Sequence, residues 1–148
     1  MIVGAIFAVN CLGDVFDPAT GRILAGMRNE DGRGFADTID LIKKGYTYMK
    51  KPGENTVIGC LATNARLTKA EATRVAMMAH DGLARAINPA HTMMDGDTIF
   101  SLSMGNIKCD LTTVGAIAAE VTRMAIVSAV RHATSLGSVP SLKDIPTK

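Results

Sequence analysis

The feature that most constrains this chain is its first run, Ile2–Val9 (IVGAIFAV), which has no polar side chain. A strand with one face in water alternates apolar and polar residues, so an unbroken run reads as a strand covered on both faces and paired at its edges. Thr56–Thr63 is a short apolar strand and Thr98–Met104 a third main strand, each entered from turn residues. Between them, Leu67–Ile87 has helical periodicity. Thr68 and Glu71 make a capping box, and Val75, Met78, Ala79, Gly82, Leu83, Ala86 and Ile87 share one face. Lys69, Arg74, Asp81 and Arg85 fall mostly off that face, and Pro89 stops the helix.

A last helix starts from a cap at Asp110 or Thr112 and runs to about His132, with Gly137 as a stop. Its apolar centre, Val114–Val130, carries Glu120 and Arg123, which makes it a core helix rather than a membrane span. Residues 13–26 read as an excursion that turns at Asp17–Gly21 and returns along Arg22–Ala25. Phe35, Ile39 and Ile42 mark a short helix ending near Gly45, Met49–Asn55 and residues 91–97 are loops, and residues 138–148 form a polar tail. The fold class is α/β. The 148 residues make a single domain, and three main strands with two long helices leave apolar faces uncovered. A chain that opens inside a strand fits a partial domain that expects more protein around it.

Composition narrows the function. Apolar residues are 47% and charged residues 20%, the balance of a globular chain. A net charge of +2, with no basic run and no aromatic stacking set, excludes a nucleic-acid surface. Cys11, Cys60 and Cys109 are odd in number and lack paired spacing, which fits a reducing compartment. The opening run lacks a basic leader, and Asn10-Cys11 is not a small-residue cleavage site, so it is no export signal. The expected location is cytoplasmic, with no membrane partner.

Two junctions draw attention. Thr56 stands where the turn residues Lys51-Pro52-Gly53-Glu54-Asn55 meet a core strand. It reads either as an ordinary β-branched strand start or as a nucleophile presented by a rigid element. Breaking the bond Asn55–Thr56 would give Thr56 a free α-amine of pKa about 7.7–8.0, poised to take the proton of its own hydroxyl. Asp95-Gly96-Asp97 is either a tight turn or two carboxylates pinned by the strand that follows. With His91 added it could also be weighed as a metal site, but it lacks zinc or EF-hand spacing. Asn10 is a polar strand end, serving the next turn or donating an amide into a cleft. His80 and His132 read as solvated, and Cys60 as a packed small hydrophobe.

Several pieces resemble the DmpA-type aminopeptidases, which include L-aminopeptidase/D-esterases, β-peptidyl aminopeptidases, pantetheine hydrolases and nylon-oligomer hydrolases. They are Asn55-Thr56, Ala62-Thr63-Asn64-Ala65, the helix end His80–Ile87, and Pro89-x-His91-Thr92 followed by Asp95-Gly96-Asp97-Thr98. The run VGAIFAVNCLGDVFDPATGRILAG is similar to the end of the family's α-subunit core. The resemblance covers residues 3–132 and implies a precursor that cuts itself. Residues 1–55 would be the end of the α-subunit region and 56–148 the β-subunit region, paired after the cut. It implies Thr56 as nucleophile and base, Asn10 as oxyanion donor, and Asp95 and Asp97 as contacts of the nucleophile and its amine. It also implies a four-layer αββα sandwich, incomplete here without its upstream half, and a homo-oligomer that needs no metal or cofactor. The expected function is a self-processing amidohydrolase or aminopeptidase acting on small peptides or peptide-like amides. The competing expectation is an inactive fragment that only packs against a partner chain.

Overall fold

The computed structural model describes residues 1–46 and 55–146. The elements run β1 (Val3–Asn10), β2 (Asp14–Phe16), β3 (Ile23–Ala25), α1 (Thr38–Lys43), β4 (Thr56–Ala65), α2 (Lys69–Ala86), β5 (Ile87–Asn88), β6 (Thr98–Ile107) and α3 (Leu111–His132), followed by a 3-10 turn at Leu142–Asp144. The loop expected over 49–55 lies, Asn55 apart, outside the described residues.

The three long strands form one sheet in the order β1-β4-β6, with β1 antiparallel to β4 and β4 parallel to β6. The parallel step demands a crossover, and α2 supplies it. A small second sheet runs in the order β3-β2-β5. Helices α2 and α3 lie together on one face of the main sheet. Val57, Leu61 and Ala65 of β4 meet Val75, Ala79 and Leu83 of α2 and Val114, Ala118 and Ile126 of α3 in one buried cluster. The helices approach closely because Gly82 has no side chain: a Cβ there would stand 1.9 Å from the Ala119 carbonyl oxygen.

Local chemistry sets the helix ends. At α2 the capping box is complete, with Thr68 and Glu71 each accepting the other's backbone N–H. At α3 the cap is Asp110, whose carboxylate accepts from Thr113 N–H, and the helix ends at His132 with Ala133 as its C-cap, short of Gly137. Helix α2 stops at Ala86 rather than Ile87. Ile87 and Asn88 turn extended before Pro89 and pair with Val15 and Asp14 of β2. Asp14 is fully buried, and its carboxylate accepts from Thr38 N–H and the Thr38 hydroxyl at 2.7 Å each, tying β2 to the start of α1.

The main sheet is covered on one face only among the described residues. Val3, Ala5, Phe7 and Val9 of β1 face the helices, while Ile6 is 74% exposed on the other side. Phe100 and Met104 of β6, 57% and 78% exposed, share that outer face with Ile58. The outer face, which the apolar run Ile2–Val9 reads as wanting cover, stays open among the described residues because both long helices lie on the other side, as the count of three strands and two helices led one to expect. Cys60, read as a packed small hydrophobe, lies inside β4 and is half-buried on the outer face. The architecture is mixed α/β, one helix layer on one sheet layer, consistent with part of a DmpA-type sandwich.

Candidate active site

Strand alternation places the site. In β4 the residues Val57, Gly59 and Leu61 face the helices, so Thr56, Ile58 and Cys60 face outward. In β1 the outward set ends with Asn10. Register pairs Asn10 directly with Thr56, so their side chains leave the same face with Cβ atoms about 5 Å apart. Two candidate residues forty-six positions apart in sequence are thus brought together by the antiparallel pairing.

The peptide bond before Thr56 is gripped on its carbonyl. The Asn55 oxygen accepts from Gly96 N–H at 2.9 Å and from the Thr56 hydroxyl at 2.6 Å. The fit at Gly96 is close, since a Cβ there would stand 3.1 Å from Thr56 Oγ1. Asn55 itself is buried, and its side-chain Nδ2 has no hydrogen-bond partner among the described residues. It lines a cavity of about 300 Å³ together with Val9, Asn10, Cys11 and Val15. Burial pushes the Cys11 thiol up to about 12, with Asp95, Asp97 and Asp14 adding to the effect. The Cys11 Sγ–H donates to the Gly13 carbonyl at 3.0 Å, and the raised pKa disfavours a thiolate there.

The two carboxylates have different jobs. Asp97 Oδ1 accepts from Val57 N–H at 3.0 Å, one residue past Thr56. Its Oδ2 meets His91 Nδ1 at 2.8 Å, and the Asp97 side chain is only 4% exposed. Asp95 instead staples loops: Oδ1 accepts from Leu12 N–H at 3.1 Å, and Oδ2 accepts from Thr92 N–H and from the Thr92 hydroxyl. His91, Asp95 and Asp97 thus do not converge as ligands, and no group of three metal-binding side chains occurs among the described residues. His80, expected to be solvated, is half-buried and lies edge-on to His91. His132 is exposed at the far end of α3. Sequence reasoning missed the Gly96 N–H as a donor, although Gly96 sits between the two aspartates it did single out.

The model of peptidase family S58 matches residues 1–141. The chain belongs to peptidase family S58. An uncharacterized aminopeptidase of Mycobacterium leprae is 38% identical, over 94% of this chain and 43% of that protein. A 6-aminohexanoate-oligomer endohydrolase of Kocuria sp. is 34% identical, over 86% of this chain and 40% of that protein. The chain thus spans less than half the length of these S58 relatives. Among solved structures, the PH0078 protein of Pyrococcus horikoshii OT3 is similar with a TM-score of 0.50 and 20% identity, over 90% of this chain and 40% of that one, a likeness of fold. The S58 match takes in both strand junctions, with Asn10, Asn55, Thr56, Asp95 and Asp97 inside it.

Proposed function

We propose that this chain carries the nucleophile of a self-processing amidohydrolase, cut between Asn55 and Thr56, that hydrolyses small peptides or peptide-like amides. The observation that carries the reading is the doubly held Asn55 carbonyl, with the Thr56 hydroxyl against it and Gly96 N–H behind it. Membership of a peptidase family and the printed names of the relatives support amide hydrolysis as the reaction class.

In maturation, Thr56 Oγ1 swings from the carbonyl oxygen to the carbonyl carbon and attacks it. The developing oxyanion stays on Gly96 N–H, the C–N bond to Thr56 breaks, and the hydroxyl proton ends on the departing amine. Water then hydrolyses the Asn55 ester, giving a carboxylate and restoring the hydroxyl. In turnover the freed amine takes the hydroxyl proton while the oxygen attacks a substrate amide. Asn10, opposite Thr56 on the same face, donates to the substrate oxyanion. Losing one such donor costs about 3–4 kcal/mol of barrier lowering. Asp97, fixed to the next residue of the strand, holds the α-ammonium by charge. Asp95 holds the Leu12 and Thr92 loops around the site.

The test is the intact mass of the protein expressed from its whole gene. A fragment beginning at Thr56, absent in Thr56→Ala, is the expected result. A second reading, a chain that only packs on a partner, has the bare outer sheet face in its favour. It predicts an uncut chain and a Thr56→Ala variant that behaves as wild type.

A further inference from the structure

We propose that His91 is a positioning residue for Asp97, and that His80 fixes the tautomer in which His91 does so. The inference rests on the reading of Thr56 above, and deepens it. Three side chains outside the Thr56–Asn10 pair form a directional line. His80 Nδ1 lies 3.2 Å from His91 Nε2, and His91 Nδ1 lies 2.8 Å from Asp97 Oδ2. Asp97 Oδ1 continues the line to Val57 N–H. The two rings meet edge to face, with centroids 4.7 Å apart at 60°.

The chemistry of imidazole sets the direction. A carboxylate needs a donor, so His91 carries its proton on Nδ1, and its Nε2 is then a bare lone pair. His80 Nδ1–H meets that lone pair. The line can take up one proton: His91 then donates from both nitrogens, and His80 turns its own proton to Nε2. It cannot take up two, because N–H would face N–H. Burial lowers the pKa of His80, and the neighbouring ring lowers it further, while Asp97 on the loop and Asp81 on α2 pull the other way.

Backbone geometry supports a purpose for the ring. His91 has φ of +54°, in the left-handed region that most side chains avoid. The ring so placed is aimed at an otherwise buried carboxylate. Without the imidazole, Asp97 Oδ2 would have no donor among the described residues, and the carboxylate would be free to turn away from Val57. His91 thus keeps Asp97 oriented where the Thr56 amine appears.

The test uses the product of the whole gene. Asn tolerates the left-handed region and offers an N–H donor, so His91→Asn should keep much of the activity. His91→Phe should lower kcat about 10-fold or more with KM little changed, the size of effect seen when an orienting partner is removed. His80→Phe removes the donor to His91 Nε2, so the His91 proton should become free to move from Nδ1 to Nε2, as read in the imidazole ¹⁵N spectrum. A readout independent of activity and of the variants' folding is the imidazole ¹⁵N spectrum of the uncut Thr56→Ala protein, where His91 should be protonated on Nδ1 and bare on Nε2. A proton on Nε2 alone in the chain with His80 intact would overturn the proposal, as would His91→Phe with unchanged kcat. A wild-type protein left uncut would overturn the nucleophile reading instead. The ring line would then stand or fall on the ¹⁵N spectrum.

Discussion

At the scale of residues, the Thr56 hydroxyl lies against the oxygen of the bond it would break, 2.6 Å away. Thr56→Ala should leave the chain uncut and inactive, and Thr56→Ser should retain cutting, both read from intact mass. Asp97→Asn should keep the fold, since an amide oxygen can still accept Val57 N–H. On material already cut it should lose most turnover, because a neutral amide cannot hold an ammonium by charge. Near-normal turnover would return Asp95-Gly96-Asp97 to a plain turn. Cys11 gives a prediction with a sign. Its thiol rises from 9.0 to about 12, so the folded chain keeps a proton that the unfolded chain releases above pH 9.0. That contribution to stability is whole below pH 9.0 and falls as the pH climbs toward 12. At mildly alkaline pH, iodoacetamide should spare Cys11 in the folded protein and modify it once denatured, as read from peptide masses. Equal labelling in both states would contradict the burial argument.

At the scale of elements, the helix layer depends on small residues. Gly82→Ala gains helix propensity, worth up to about 1 kcal/mol. It also drives a Cβ to 1.9 Å from the Ala119 carbonyl oxygen. Because that obstacle is backbone, α3 must move, and the variant should be net destabilised by about 1–3 kcal/mol in a denaturant melt. Unchanged stability would mean that the helices are not packed at that crossing. Much of this layer was legible in the sequence, because periodicity and caps are local signals: Thr68, Glu71, Asp110 and the stripe through Val75, Ala79 and Leu83 all stand where the pattern puts them. Strand β5 was not legible, because Ile87 continues the apolar stripe of α2 and only pairing with β2 reveals it. The site divides the same way. Thr56 and Asn10 were visible as polar strand ends, whereas the Asp95–Leu12 staple joins residues far apart in sequence and the His80–His91 contact joins a helix to the loop after it, so neither leaves a local mark.

At the scale of the whole molecule, the site opens on the bare face of the main sheet. Thr56 and Asn10 leave the sheet on the side where Ile6, Ile58, Phe100 and Met104 stand exposed. Apolar surface of that kind recruits a partner or aggregates. The 148-residue chain expressed alone should therefore self-associate, with little cutting. Ile6→Lys together with Phe100→Lys should shift it toward smaller species in size exclusion without lowering its melting temperature, since both side chains already lie in water. A sharp monomer peak for the unsubstituted chain would contradict the argument. The central claim is that Thr56 becomes a chain terminus and works from there. It is tested most directly by N-terminal sequencing of the protein purified from the cells that make it. The account predicts a fragment whose first residue is Thr56, and an intact chain, or a new terminus anywhere else, would contradict it.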